Sequence, residues 1–155
     1  MHHSRRTVLK SAGVFGALAG AVAAGLLGPV RALAAWNTGA FEAKNLADAL
    51  KALGVSNPQQ SADIQIRAPE IAENGAVVPV EITSNIPDTT RILVFIEKNP
   101  FPYTGSFDVS QGAAPFVQLR VKIGESSPVR AIIAAGGKYY TSAREVKVTI
   151  GGCGG

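Results

Sequence analysis

The alternation of apolar and polar positions changes period once in the body of this 155-residue chain. Between Ala40 and Leu53, the residues Ala43, Leu46, Leu50 and Leu53 recur at helical spacing and form one apolar face. Asn37-Thr38 supplies caps before this stretch, Glu42 falls in its first turn and Lys51 in its last, and Gly54 stops it. The pattern predicts one amphipathic helix packed on its own domain. From Ala62 the period becomes two. Asp63-Ile64-Gln65-Ile66-Arg67 alternates cleanly, Glu73-Asn74-Gly75 signals a turn, and Val78, Val80 and Ile82 share a face. Pro79 lies inside that run and predicts an edge strand or a bulge, because proline cannot donate to a strand ladder.

Ser84-Asn85-Ile86-Pro87-Asp88 reads as a loop. Ile92-Leu93-Val94-Phe95-Ile96, within Arg91–Lys98, is continuously apolar and predicts a central strand buried on both faces. Asn99-Pro100-Phe101-Pro102-Tyr103 is a stiff loop, followed by shorter strands around 105–109 and 116–123. Val129–Ala135, Gly136-Gly137 and Lys138–Ser142 read as a hairpin, and Arg144–Ile150 as a last strand with Val146 and Val148 on one face. About seven short strands separated by turn signals predict an all-β fold. The expected architecture is an Ig-like antiparallel β-sandwich with a short N-terminal helix over residues 35–150. The Cys…Trp…Cys pattern of true immunoglobulin domains is absent.

The two ends of the chain fall outside this pattern. Ser4-Arg5-Arg6-Thr7-Val8-Leu9-Lys10 matches a twin-arginine export signal through Arg5 and Arg6. A charge-free stretch from Ser11 to Val30 follows, and Ala32-Leu33-Ala34 offers an A-x-A cleavage site. Residues 1–34 are therefore expected to be a cleaved signal peptide, and the remainder a periplasmic protein with no stable membrane anchor. Its five glycines and one proline leave the stretch only weakly apolar for a spanning helix.

Removal of this segment alters the charge. Arg5, Arg6, Lys10 and Arg31 are four of the 15 basic residues, so 11 remain against 11 acidic ones. The sequence pI of about 9.5 belongs largely to the signal, and no nucleic-acid partner follows from it. Both histidines, His2 and His3, lie in the signal as well. Without histidine, neither a Cys/His zinc cluster nor a histidine-activated serine or cysteine is available. No G-x-G-x-x-G or Walker-type loop is present. No cofactor is expected. Scattered carboxylates remain, and nothing singles out a pair.

At the other end stands Gly151-Gly152-Cys153-Gly154-Gly155, with the only cysteine of the chain. Glycine lacks Cβ and samples most of backbone space, so residues 151–155 are expected to form a flexible arm that reaches at most about 17 Å. A thiol so placed has no core to pack into and can be carried into a cavity on another protein. Only the thiolate reacts well, and a free cysteine, with a pKa of about 8.5, is a few per cent ionised near neutrality. No cation adjoins Cys153 to lower that value. The tail reads as a carrier whose thiol is activated elsewhere, with catalytic residues expected nowhere in the chain. An exported compartment is oxidising, so a lone cysteine there stays free, bears an adduct or bridges two chains. Three readings follow: a covalent carrier, an exported module joined by an intermolecular disulfide, and a thiol enzyme lacking its activating residues.

These residues resemble the Y subunits of the Sox sulfur-oxidising system. The resemblance rests on the twin-arginine signal, Ala40-Phe41-Glu42-Ala43-Lys44, and Ala68-Pro69-Glu70-Ile71-Ala72-Glu73-Asn74-Gly75. It continues through Thr83-Ser84-Asn85-Ile86-Pro87, Glu97-Lys98-Asn99-Pro100, Lys147-Val148-Thr149-Ile150 and the glycine-flanked Cys153. It implies that Cys153 carries sulfur intermediates covalently while Gly151, Gly152, Gly154 and Gly155 act as the tether. It further implies a heterodimer with a Z subunit. The other implied partners are a c-type cytochrome that couples thiosulfate to the thiol, a sulfate-releasing hydrolase and a sulfane dehydrogenase. For the Z-binding face, Pro79 and the N-terminal helix are candidates. Edge protection for Pro79 and ordinary core packing for the helix are the stronger accounts of each.

Overall fold

The computed structural model describes residues 37–150. The export signal with Arg5 and Arg6, and Gly151, Gly152, Cys153, Gly154 and Gly155, lie outside the described residues.

Two short helices, α1 (Thr38–Glu42) and α2 (Leu46–Ala52), stand where the apolar periodicity predicts one. Asn45 causes the break. Its backbone is extended, its Oδ1 accepts from the Asp48 N–H at 2.9 Å, and its Nδ2 donates to the Asp48 carboxylate at 2.8 Å. This reciprocal cap starts a new helix inside the apolar stripe. Asn37 caps α1 through Ala40 and donates to the Ala52 carbonyl, tying the start of α1 to the end of α2. Gly54 ends α2 at φ +69°, the left-handed position a helix C-terminus favours.

Nine strands follow: β1 (Gln59–Gln60), β2 (Ile64–Arg67), β3 (Ile71–Asn74), β4 (Val78–Ser84), β5 (Thr89–Ile96), β6 (Tyr103–Asp108), β7 (Phe116–Val121), β8 (Ser127–Ala135) and β9 (Lys138–Ile150). They make two packed sheets. The larger runs β1-β9-β8-β5-β6 with β3 also on β9, and the smaller runs β2-β4-β7. The sandwich expected from sequence is present, and its pairings are antiparallel except for two short parallel ones, β1 and β3 on β9.

The core lies between the sheets. Ile64, Ile66, Val78, Val80 and Ile82 face Ile92, Val94, Ile96, Val129, Ala131, Ile133 and Val146. The other face of the large sheet, through Leu93, Phe95 and Ile132, packs on Ala40, Ala43, Ala49 and Val55 of the helical segment. Alternate residues of β5 therefore enter two different cores, which is why its sequence reads as one apolar run. The helical face packs on its own domain as predicted, with Leu46, Leu50 and Leu53 half-buried at its margin.

Two strand expectations change in detail. The predicted separate strands at 138–142 and 144–150 are one thirteen-residue strand, β9. It continues because its partners hand over along it, from β1 at Tyr140–Thr141 to β3 at Lys147–Ile150. β4 is the middle strand of its sheet, yet β2 pairs only with Glu81–Ser84. Pro79 lies beyond that pairing and faces Arg120 of β7 alone, so the proline occupies a local edge within a central strand. The predicted β8–β9 hairpin forms, with Gly136 and Gly137 at φ +54° and +73°. Both turn residues need positive φ here, which makes Gly-Gly the fitting pair. Among the described residues, no helix is long and apolar enough to cross a membrane.

Candidate functional site

The sequence places its candidate chemistry just beyond Ile150, so the end of the sandwich where β9 leaves is the part of the site on view. β8 begins opposite Val146, with Ser127 as its partner. Lys147–Ile150 run on past that point. β3 holds them on one side in parallel register, Ile71 to Lys147 and Asn74 to Ile150. The Lys147 N–H donates to the Glu70 carbonyl, and the Thr149 hydroxyl donates to the Glu73 carbonyl, both at 2.9 Å. On the opposite edge, the Val148 N–H donates to Ser126 Oγ at 2.9 Å. Bonds on both edges keep the strand extended to its last described residue. Val148 and Ala72 pack against the inter-sheet core. The alternation of β3 and β9 leaves Ile71, Glu73, Lys147 and Thr149 exposed on the outer face.

The surrounding loops are cross-braced. Asn99 Nδ2 donates to the Lys122 carbonyl at 2.7 Å, and its Oδ1 accepts from the Gly124 N–H at 2.9 Å. The Ile123 N–H donates to the carbonyl of buried Gly75 at 2.7 Å. The Lys98 N–H donates to Ser127 Oγ at 3.0 Å, and the Ala76 N–H to Asn74 Oδ1 at 2.8 Å. Three loops, 74–77, 97–102 and 122–126, thus form one hydrogen-bonded platform around the root of the tail. Sequence reasoning missed these bracing residues. Asn99 beside Pro100 and Ser126-Ser127 before Pro128 are turn signals. A turn signal does not say which distant loop it will bind.

A cleft lies at the other end. It holds about 540 Å³ and is lined by residues of the 84–90 and 109–115 loops. Thr89, at the start of β5, pairs with Ala135, the partner of Lys138 at the start of β9. Twelve residues of extended β9 then separate that level from Ile150, about 40 Å at strand rise. Cys153 is three residues past Ile150, so its Cα reaches at most about 10 Å further. The thiol cannot enter this cleft on its own chain.

The described body offers no reactive constellation to accompany the thiol. Among the described residues, no group of histidine, cysteine and carboxylate side chains could hold a metal ion, and no buried polar side-chain atom lacks a partner. Arg91, near the cleft end, has its pKa raised above the ordinary guanidinium value. The hydrogen bond to Asp108 is the main cause, burial opposes it, and the Asp108 charge adds to it.

Comparison with known proteins extends to the tail itself. A family model described as "Sulfur oxidation protein SoxY" matches residues 49–153, so the matched span ends on Cys153. Among solved structures, the sulfur carrier protein SoxY from Chlorobium limicola f thiosulfatophilum is similar at 45% identity with a TM-score of 0.64. The match covers 70% of this chain and 96% of that one. A chain from a structure of the superantigen toxic shock syndrome toxin-1 matches at 15% identity and a TM-score of 0.40, over 55% of this chain and 98% of that one, and bears no weight here. A search of curated proteins found no match.

Proposed function

The chain belongs to the SoxY family and is a sulfur-oxidation carrier protein, and from that premise we propose that Cys153 is the covalent attachment point on which sulfur intermediates are held while other enzymes process them. The observation that carries this reading is the family match running to Cys153, three residues beyond a strand bonded on both edges. In this reading Gly151, Gly152, Gly154 and Gly155 serve as the tether of the thiol, and the platform around the end of β9 is its root.

In the loading step, the Cys153 thiol and thiosulfate are joined by a new S–S bond. The thiol loses its proton, and two electrons pass to a c-type cytochrome partner, giving a cysteine S-thiosulfonate. Hydrolysis by a second enzyme cleaves the bond from the sulfane sulfur to the sulfonate. Water supplies the fourth oxygen of the released sulfate, and the carrier keeps a persulfide, which a sulfane dehydrogenase oxidises. The carrier acts as a heterodimer with a Z subunit, in the periplasm, after export through Arg5 and Arg6 and loss of residues 1–34. It turns over nothing alone: an unactivated thiol on a glycine tether is mostly protonated near neutrality, so the receiving enzyme supplies the activation.

Intact-mass measurement of the protein from cells oxidising thiosulfate, with and without reductant, tests the reading. The expected result is a reductant-sensitive increment matching S-thiosulfonate or persulfide, mapped to Cys153. A bare thiol throughout, or only a Cys153-linked dimer of chains, would overturn it. The dimer would instead support a module that uses its cysteine for an intermolecular disulfide.

A further inference from the structure

We infer that Asn74 is a site of self-modification: the Gly75 backbone nitrogen attacks the Asn74 side-chain amide and converts it, without an enzyme, to aspartate and isoaspartate, and the isoaspartyl product loosens the end of β9. The inference does not depend on the role given to Cys153. The chain has six asparagines, and the residues that follow them are Thr38, Leu46, Pro58, Gly75, Ile86 and Pro100. The reaction needs the nitrogen of the next residue to reach the side-chain Cγ. A proline nitrogen has no proton to lose, and the side chains of Thr38, Leu46 and Ile86 crowd the approach. Glycine has no Cβ in the way and bends freely into the attack. Asn74 is the one asparagine followed by a residue that leaves the approach open.

The fold leaves this site open to water and bent the right way. Asn74 is the last residue of β3, and it is exposed. Its Oδ1 accepts from the Ala76 N–H at 2.8 Å, which folds the carboxamide back across the Gly75 backbone. That bond keeps Cγ beside the attacking nitrogen, and the Ala76 N–H stabilises the charge that gathers on Oδ1 as the tetrahedral intermediate forms. The Gly75 amide loses its proton, its nitrogen bonds to Cγ, and Nδ2 leaves as ammonia, closing a five-membered imide. Water then opens the imide at one of its two carbonyls, with no oxidant or reductant involved. Cleavage of the bond from nitrogen to Cγ gives aspartate. Cleavage of the bond to the main-chain carbonyl gives isoaspartate, whose backbone runs through the side chain and is longer by one atom. Asn74 stands opposite Ile150 in the β3–β9 register, and the Gly75 carbonyl accepts from the Ile123 N–H at 2.7 Å. The lengthened link displaces one of these against the other, so the isoaspartyl chain gives up the bond to Ile123 or the pairing with the end of β9.

The test incubates the purified protein at mildly alkaline pH, folded and in urea, and follows asparagine, aspartate and isoaspartate at position 74 by peptide mapping. In the folded protein Asn74 should convert within about tenfold of its rate in urea, since a misplaced nucleophile would cost up to about a hundredfold. It should also convert faster than Asn37, Asn45 and Asn85. Folded conversion that is slower than this limit, or equal conversion at those other asparagines, overturns the inference. Gly75 does not take a positive φ, so Gly75→Ala is compatible with the backbone. Gly75→Ala should slow conversion of Asn74 about tenfold, because the added Cβ hinders the attack. Measured in urea as well, this variant reads the chemistry even if it folds poorly, and an unchanged rate there overturns the mechanism. Asn74→Asp carries the new charge without the extra backbone atom. Aged protein rich in isoaspartate should exchange the Ile123 N–H about tenfold faster than Asn74→Asp, the effect of losing one backbone hydrogen bond. Equal exchange in the two overturns the loosening of the end of β9.

Discussion

The two ends of the sandwich solve the same problem, closing loops over a shared core, in opposite ways. At the end where β9 leaves, side-chain bonds join parts of the chain 22 to 29 residues apart through Ser126, Asn99 and Ser127, and 76 apart through Thr149. At the cleft end, the side-chain bonds of Ser84 and Thr89 stay within one loop, and two further ones cross between strands, Thr90 Oγ1 donating to the Ala134 carbonyl and Arg91 Nε to Asp108 Oδ1. Ser84 Oγ meets Thr89 Oγ1 and accepts from the Ile86 N–H, and Thr89 Oγ1 also donates to the Ile86 carbonyl. Three backbone bonds, Ser84 to Pro115, Asn85 to Asp63 and Val109 to Thr90, tie that loop to the rest. Among the described residues, the end with the 540 Å³ cleft is tied by fewer long-range side-chain bonds than the end where β9 leaves. On the reading proposed above, a search that starts from this cleft settles on the wrong end, because the reactive cavity would belong to the enzymes that process the bound sulfur. On that reading, the described body would provide a fixed origin for the arm.

The sharpest way to break that contrast is Asn99→Ala. The substitution leaves the Lys122 carbonyl and the Gly124 N–H without their shared partner, and the expected loss is about 2 kcal/mol, read as a lower denaturation midpoint at unchanged m. Asn99→Asp keeps the acceptor for Gly124 and removes the donor to Lys122, so it should fall between the alanine variant and wild type. If Asn99→Ala is as stable as wild type, the platform is not braced in the sense argued here. Next in size is Ser84→Ala at the opposite end. Ser84 is buried, but Thr89 keeps its own bond to Ile86 in the variant, so about 1 kcal/mol is expected. Turnover of the carrier with its partner enzymes should be unaffected. A loss of turnover in Ser84→Ala would mean that the cleft end takes part in function after all.

The sequence made the two-layer core legible because burial follows period. Val78, Val80 and Ile82 are apolar on one side of β4 only, and β5 is apolar on both, as its position between two cores requires. The hairpin at Gly136-Gly137 was equally legible, since few residues accept two successive positive φ values. The helix break at Asn45 was not, because the apolar stripe runs through it; the Asn45–Asp48 pair was the available signal. The parallel strand β3 was hidden because Ile71–Asn74 has only Ala72 buried and reads as loop. Its identity comes from the partner it meets, β9, some 76 residues later. The candidate thiol at Cys153 was visible from spacing and solitude alone. The platform beneath it was not, since its bonds are made by common polar residues whose partners only the folded chain selects.

The smallest expected effect concerns the exposed ion pair at the cleft end. Arg91 Nε and Asp108 Oδ1 lie 2.6 Å apart, with the two side chains 51% and 75% exposed. At such exposure the pair is screened by water and salt, and Arg91→Met should cost no more than about 0.5 kcal/mol, less as ionic strength rises. Its pH behaviour follows from the direction of the Arg91 shift. A cation whose pKa is raised by folding contributes fully below its unfolded value and loses that contribution only as pH climbs through the folded one. For Arg91 both values lie in the strongly alkaline range, so its protonation adds no pH slope near neutrality. Stability curves of wild type and Arg91→Met should therefore run parallel from neutral to mildly alkaline pH and converge with added salt. A gap of several times this size that persists at high salt would show that the cleft end, too, carries a strong brace, and the contrast between the two ends would lose one of its supports.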